Sequence, residues 1–460
     1  MRKNFSISGV PDFDADSSRK RNYIIQIIKK HFELFGFSSI QTSSIEKKST
    51  LLGNYGNEGE KLIFQILNGG NFLSKVDKNI KNMSSNELSP LISSKVLRYD
   101  LTVPLAKFVS ENYNDLVFPF KRYEIGKVWR AERPQKGRLR EFTQCDADIV
   151  GDSSQLSELD ILLLSNSIFK ELKINSSVVK VNNRKILEGI FDSFNNKKVS
   201  FNVFCTVIDK LDKIGMENVI SILKEYNFSS QNILILKKLF NLDSDFPEKK
   251  QYIRNNIKEN SKLNEGINEL DFLFNNLKRI KINIPTVNFD LSLARGLDYY
   301  TSTVFEVTEK HLTGMSMAGG GRYDNLTERF GIKNISGVGI SFGIDRIYMF
   351  MELNNLFPKD LVNSVDVMFV NFGSELIEHV IPMTMEIRNL GFSCEIYSSQ
   401  NKISKQMSYA NKRNIKFVVI FGQNEFKSNI LTIKNMKSSE QIELSFAEFK
   451  DLLLKTRNDV

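Results

Sequence analysis

The chain has 460 residues, a formal charge of +9 and three cysteines, Cys145, Cys205 and Cys394. That length holds roughly two to four domains with ample material for a core, and the scattered, odd cysteines give neither a disulfide framework nor metal-ligand spacing. No stretch approaches the roughly 20 apolar residues of a membrane span, and no apolar run follows the basic N-terminus. A soluble, cytoplasmic protein is expected. The basic surplus favours an anionic partner, nucleic acid first, although an excess of Lys, Asn, Ile and Phe also follows from an AT-rich genome.

Residues 18–35 carry Tyr23, Ile24, Ile27, Ile28, Phe32 and Phe35 at helical spacing and close at Gly36. A β-like segment, 37–45, follows. Residues 74–95 are polar and without period, which predicts a loop ahead of a strand carrying Asp100. Two strands, 120–132 and 140–150, are predicted as a long antiparallel hairpin joined by residues 133–139. Asp152, with Gln155 three residues on, caps a helix running to about Leu172. From 201 to about 278 the pattern is helical, with polar joints at Gly215, Ser229 and 243–245, an insert between two parts of one domain. A helix following Gly343 should end near Asn354, and Pro358 opens a linker. Beyond it, strands at 365–370, 393–397 and 416–421 alternate with helices at 375–389 and 403–413, which implies a doubly wound module with a mainly parallel sheet. Between Ser398 and Lys437, eight Lys or Arg stand against one acid, Glu425, with Tyr409 and Phe426 interleaved. That surface is either a solvated basic face or a platform for structured RNA.

Strand alternation tests the hairpin. It puts Gln144, Asp146 and Asp148 on one face and Cys145, Ala147 and Ile149 on the other. By the same rule Arg130 and Glu132 project together, as do Asp100 and Thr102. Unpaired charges are too costly for a core, so this face is expected to floor a substrate site. Residues 295–300 read Arg-Gly-Leu-Asp-Tyr-Tyr inside FDLSLARGLDYYTSTVFEV. One reading is a hairpin turned at Gly296 and capped by Asp298; the other is a set of planar donors and acceptors suited to a small zwitterion. Gly337–Gly343 has one residue too many for a dinucleotide fingerprint. His31, His311 and His379 lie outside every motif.

Five strings in order, RYDLTVP from Arg98, FKRYEIGKVWRAERPQKGRLREFTQCDADIVG from Phe120, RGLDYY from Arg295, AGGGRYDNL from Ala318 and GVGISFGIDRI from Gly337, resemble the histidyl-tRNA synthetases, a class II family. The resemblance implies an α+β catalytic domain with a mainly antiparallel sheet over 1–175 and 283–355, a helical insertion region over 176–282, and a C-terminal α/β anticodon-binding domain over 364–460. It also implies a ligase that activates L-histidine with ATP and transfers it to tRNA(His), with Mg2+ accompanying ATP, metal ligands unassigned, and no prosthetic group. For histidine binding it implies Asp100, Thr102 and Gln144 at the α-ammonium, and Asp148, Tyr300 and Tyr299 at the ring. For ATP it implies Arg130 at the α-phosphate and Glu132 at the adenine amino group, with Arg138 and Arg346 on the outer phosphates or the adenine. Arg130 and Arg295 are the catalytic pair, and Gln135 and Lys136 the tRNA-binding residues of the hairpin tip. The family builds a homodimer on the segment occupied here by 18–45. Two departures stand out: Ser43 replaces the proline usual in that strand, and Ser302 a common glycine. The same fold also serves as a catalytically silent regulator of histidine biosynthesis, usually without an intact RGLDYY string or an anticodon domain, both kept here.

Overall fold

Long alternating runs make the frame of the first unit. In chain order its strands are β1 (Ser38–Ser39), β2 (Ile45–Lys47), β3 (Gln65–Ile66), β4 (Lys95–Leu97), β5 (Phe120–Trp129), β6 (Glu141–Val150), β7 (Ser177–Asn183), β8 (Val287–Phe289), β9 (Thr303–Glu309), β10 (Ser316–Tyr323) and β11 (Gly337–Gly343). Eight of them form one sheet in the order β1-β5-β6-β11-β10-β9-β7-β8. It is parallel only at its ends, where β1 meets β5 and β7 meets β8, and antiparallel elsewhere. β2, β4 and β3 make a separate small sheet. The computed structural model describes every residue except 1–5, 53–60, 75, 77–82, 136, 281–286, 295, 297–298, 310–315, 359–360, 362–364 and 459–460. It divides into two units, Met1–Leu356 and Phe357–Val460.

One face of the main sheet is the core. Cys145, Ala147 and Ile149 are buried there, as the alternation requires. The helices Ala15–Leu34, Leu156–Glu171 and Ile344–Leu353 pack against β6 and β11 on this side. Phe32 touches the rings of Phe37, Tyr123 and Phe342, and Phe342 also meets Phe169. The first helix spans the predicted stripe and stops before Gly36, whose φ of +79° breaks helical geometry.

Three local expectations are corrected. Residues 85–92 are a helix rather than loop, opened by a capping box in which Ser84 and Glu87 satisfy each other's backbone N–H; Ser-x-x-Glu carries that signal even where apolar periodicity is weak. Asp100 and Thr102 do not lie on a strand: β4 ends at Leu97, and Thr102 begins the helix Thr102–Glu111. Asp100 Oδ1 accepts from the backbone N–H of Thr102 at 3.2 Å and Val103 at 3.1 Å, so a short acid ahead of the helix converts the chain from strand to helix. Likewise β5 ends at Trp129, and Arg130 and Glu132 lie beyond the ladder.

Residues 177–183, counted with the helical insertion in the sequence-based division, form β7 inside the main sheet. The following helices run from Arg184 to Ile280, broken near the predicted joints. Phe191, Phe204 and Phe228 form their aromatic centre.

The second unit contains β12 (Val367–Phe369), β13 (Cys394–Ile396), β14 (Phe417–Ile420), β15 (Leu431–Asn435) and β16 (Gln441–Leu444), ordered β13-β12-β14-β15-β16. Its sheet is mixed rather than mainly parallel. β12 pairs in parallel with β13 and β14, whereas β14–β15 and β15–β16 are antiparallel. The β15–β16 connection is too short for the crossover a parallel pair requires.

Candidate functional site

The polar face of β6 faces two adjoining cavities. The larger, about 390 Å³, is lined by Arg130, Glu132, Arg138, Gln144, Ser341 and Arg346 among others. The smaller is lined by Thr102, Asp146, Asp148, Tyr299, Tyr300 and Tyr323, with Gly319, Gly339, Ile340 and Ser341. Ser341 and Gly319 border both, so they mark the neck between them.

Register explains how the small cavity is built. Asp148 stands opposite Arg122 on β5 and Gly339 on β11, and Asp146 opposite Ser341. Arg122 is fully buried, and its Nη2 lies 2.7 Å from Asp148 Oδ2. The Tyr323 hydroxyl donates to Asp148 Oδ1 at 2.8 Å. Burial lifts the Asp148 carboxyl above its ordinary range against the downward pull of Arg122 and Tyr323. Burial likewise pushes Asp146 up to about 8, with Arg122 opposing and Asp148 adding to the rise. The phenols of Tyr299, Tyr300 and Tyr323 are all raised by burial, so at neutral pH each is a neutral donor. Asp146 Oδ1, Gln144 Oε1 and the Tyr299 hydroxyl are buried without a hydrogen-bond partner among the described residues, and so are Asp148 Oδ2, which has only its ion pair with Arg122, and Nε and Nη1 of Arg122 behind it. A buried polar atom left in that state is costly, which suits a wall that completes its bonding with a polar ligand.

Glycine is required at two of these positions. A Cβ on Gly339 would run into the Asp148 carboxylate, and one on Gly321 would meet the Tyr300 ring and the Thr303 carbonyl at 2.8 and 2.7 Å. The AGGGRYDNL and GVGISFGIDRI strings therefore let β10 and β11 close around Tyr300 and Asp148 as well as border the cavities.

In the large cavity, the Arg130 guanidinium lies 4.3 Å from the Tyr99 ring centroid and 5.1 Å from that of Phe142, its Nε donating to the Tyr99 carbonyl at 3.2 Å. Two aromatic faces and a carbonyl hold this cation in one orientation. Arg346 donates from Nη1 to the Ser316 carbonyl at 2.7 Å. Arg138 forms an ion pair with Glu132. Gln144 Nε2 donates to Ser341 Oγ at 2.8 Å. Gln135 is exposed at the hairpin tip, where its backbone pairs with Arg138. Of the residues singled out in the sequence, Lys136 and Arg295 lie outside the described residues; Asp100 sits at a helix start; the others line one of the cavities or the hairpin tip.

Sequence reasoning missed Arg122, Tyr323, Ser341 and two contributions from the helical insert. Only the pairing register puts Arg122 opposite Asp148, and nothing in local sequence reports it. Asp209 and Lys213 of the insert line the large cavity. Glu269, on the insert helix Ser261–Ile280, accepts from Asn183 Nδ2 at 2.6 Å, from Lys185 Nζ at 2.7 Å and from the Ser302 hydroxyl. The hydroxyl at the unusual Ser302 is thus engaged by a carboxylate two residues beyond Tyr300. On the other side, Thr301 bonds Asp324, which accepts from Ser336, and Ser336 accepts in turn from Arg322, the buried partner of Glu158.

In the second unit, Lys402, Lys405, Lys412, Lys427 and Lys437 are exposed. Arg413 is tied to Glu395 at 3.2 Å and to the Tyr409 hydroxyl at 2.6 Å, and the Phe426 ring lies 4.5 Å from that of His379.

A mainly antiparallel sheet carrying an arginine-bearing hairpin, a glycine-rich strand pair and a following helix over a cationic cavity is the catalytic architecture of class II aminoacyl-tRNA synthetases. The comparisons narrow the class. The family model for histidyl-tRNA synthetase matches residues 94–347 and that for an anticodon-binding domain residues 365–456. The chain is 43% identical over 442 residues to a histidine–tRNA ligase of Christiangramia forsetii, covering 95% of this chain and 96% of that one. It is 44% identical over 448 residues to one of Cytophaga hutchinsonii, covering 97% and 99%. A solved histidyl-tRNA synthetase from Nostoc sp. PCC 7120 superposes with a TM-score of 0.83 at 27% identity, covering 99% of this chain and 100% of that one. This chain belongs to the histidyl-tRNA synthetase family.

Proposed function

We propose that the first unit joins L-histidine to ATP as histidyl-adenylate and passes the histidyl group to the 3′ end of tRNA(His), the second unit holding the anticodon. The observation that carries this reading is the pair of cavities meeting at Ser341 and Gly319: one small and lined by Asp148 and three neutral phenols, the other larger and lined by arginines.

A neutral imidazole offers one N–H and one lone pair. Asp148 accepts from the first, and Tyr300, supported by Tyr299, donates to the second. The α-ammonium is received by Asp100, Thr102 and Gln144, Asp100 also shaping through Oδ1 the turn that presents Thr102. Arg130, held between two rings, grips the α-phosphate as a planar fork. Glu132 accepts from the adenine amino group once Arg138 leaves it for phosphate or for the adenine face, with Arg346 as its partner. Arg295 bridges the histidine carboxylate and the α-phosphate, where negative charge grows. A carboxylate oxygen attacks the α-phosphorus, the bond to the bridging oxygen breaks, and pyrophosphate leaves. The terminal tRNA hydroxyl then attacks the acyl carbon and AMP leaves. Positioning and charge supply the rate, with no side-chain nucleophile.

The carboxylates lining the large cavity already face cations: Glu132 pairs with Arg138, Asp345 with Arg21, and Asp209 lies 3.9 Å from Lys213. Magnesium accompanies the triphosphate as part of the substrate. Gln135 and Lys136 at the hairpin tip contact the acceptor end. The domain division is a catalytic domain over 1–175 and 283–355, an insertion over 176–282 whose first residues complete the sheet, and an anticodon-binding domain over 364–460. The protein works in the cytoplasm as a homodimer built on residues 18–45, where Leu34 and Ile45 are 68% and 50% exposed. No described helix is long and apolar enough to cross a membrane.

Histidine-dependent exchange of pyrophosphate into ATP by purified protein tests the reading, with the other amino acids as controls. Exchange with histidine alone is expected, since a site bonding both ring nitrogens rejects apolar isosteres by roughly 10⁴ to 10⁵. Exchange driven by another amino acid overturns it.

A further inference from the structure

Three carboxylates influence one another around the small cavity, those of Asp100, Asp146 and Asp148. Two have their work. Asp100 caps the start of the helix Thr102–Glu111 through Oδ1. Asp148 has Arg122 on one oxygen and the Tyr323 hydroxyl on the other. Asp146 is different: it is 2% exposed, lines the cavity, and its Oδ1 accepts no hydrogen bond among the described residues. A buried carboxylate with an unfilled oxygen is an expensive thing to build unless a cation arrives to fill it.

Position says which cation. Asp146 stands directly across the ladder from Ser341, which borders both cavities and accepts from Gln144 at 2.8 Å. An amino acid whose carboxylate faces the nucleotide cavity and whose ring reaches Asp148 must carry its α-carbon through this neck. Its α-ammonium, one bond away, then lies at the Asp146–Ser341 step. The ring is two further bonds off.

We infer that Asp146 is a further histidine-binding residue, its carboxylate receiving the substrate's α-ammonium beside Thr102 and Gln144. The inference rests on the reading that histidine is the substrate and adds the counter-charge that the family resemblance leaves to Asp100. The upward displacement of the Asp146 carboxyl to about 8 agrees with a site that lacks its cation until substrate binds.

The test compares Asp146→Asn and Asp146→Ser with the unaltered full-length protein in pyrophosphate exchange, with thermal unfolding run on each. The amide keeps the side-chain volume, and the serine covers the case in which it does not fold. The KM for histidine should rise about 30-fold or more, as expected when one member of a buried charge pair is removed, while the KM for ATP changes less than about threefold. Two competitive probes locate the contact. Histidinol keeps ammonium and ring; imidazolepropionate keeps ring and carboxylate. Inhibition by histidinol should weaken in both variants and inhibition by imidazolepropionate should hold. An unchanged KM for histidine in a folded variant overturns the inference, and so does equal weakening of the two probes, which would place Asp146 at the ring or in a purely structural role. Failure of the unaltered protein to exchange with histidine would instead bring down the substrate reading, and this inference with it.

Discussion

Arg122 Nη2 sits 2.7 Å from Asp148 Oδ2 across the β5–β6 ladder, with the arginine wholly buried and the aspartate 3% exposed. The pair sets the charge of the small cavity: a guanidinium keeps one carboxylate available as an acceptor where burial alone would favour its neutral form. Its energetic worth lies in the pairing and not in either residue alone, because a buried charge stripped of its partner is uncompensated.

Replacing Arg122 by Met should accordingly destabilise the protein by about 3 to 5 kcal/mol. Asp148→Asn should weaken histidine binding much more than ATP binding, since a neutral amide replaces an ionised acceptor. Denaturant unfolding and the two Michaelis constants measure these effects. In the double variant the stability losses should be smaller than their sum, and additive losses would mean the two residues act independently.

Arg295→Ala should lower adenylate formation by about 10² to 10³ with folding unaffected, the usual effect of removing one group aimed at developing charge. Lys at this position should restore only part of the rate, because an ammonium cannot bridge two oxyanions as a planar fork does. Single-turnover adenylate formation is the measurement; near-normal rates in a folded Arg295→Ala protein would take this residue out of the mechanism.

The Asp146 carboxyl has a sign-definite effect on stability. Its folded pKa of about 8 lies above the ordinary carboxylate value of 3.8, so between those limits the folded state holds a proton that the unfolded chain has lost. Stability without substrate should therefore fall as pH rises from about 4 to about 8, and level off above. The groups that set this window are Arg122 on β5, Asp148 on β6, Ser341 on β11 and Asp100 before the helix Thr102–Glu111. Asp146→Asn cannot ionise, so its stability relative to the parent protein should improve steadily over that interval. Urea unfolding at several pH values checks this; parallel curves for the two proteins would show that Asp146 is ionised throughout.

Ending the chain near Pro358 removes the exposed lysines of the second unit without touching Arg130, Asp148 or Arg295. Histidine activation should survive in part, while transfer to tRNA falls much further. Its salt dependence should flatten as well, each lost phosphate contact lowering the slope by about 0.7 to 0.9. Aminoacylation by full-length and shortened protein across a salt series makes the comparison, and unchanged tRNA kinetics would deny the second unit a role in RNA binding.

Much of the molecule is readable from local pattern. The hairpin of β5 and β6 follows from two alternating runs around a polar turn, and the alternation sends Cys145 and Ala147 to the core and Gln144 and Asp148 to the cavities. The helices between 201 and about 278 and the β–α order of the second unit follow from apolar period and polar joints, whereas the helix Arg184–Ser193 is not read from the sequence. Local pattern was weaker where a single side chain switches the backbone. Ser84 with Glu87 made a helix where the apolar period suggested loop, and Asp100 turned a strand into a helix start.

What the sequence by itself determined is the set of elements and the inventory of chemistry: which residues are apolar, which are charged, and which strings stand together in the order of this family. Only the tertiary structure decided who faces whom. Strand register put Arg122 opposite Asp148 and Ser341 opposite Asp146; sheet order brought β11 beside β6 across a gap of nearly two hundred residues; and packing of an insert helix delivered Glu269 to Ser302. Periodicity along a chain records which face a side chain takes, but carries no information about the partner on that face, because the partner is chosen by a ladder closed far away in sequence.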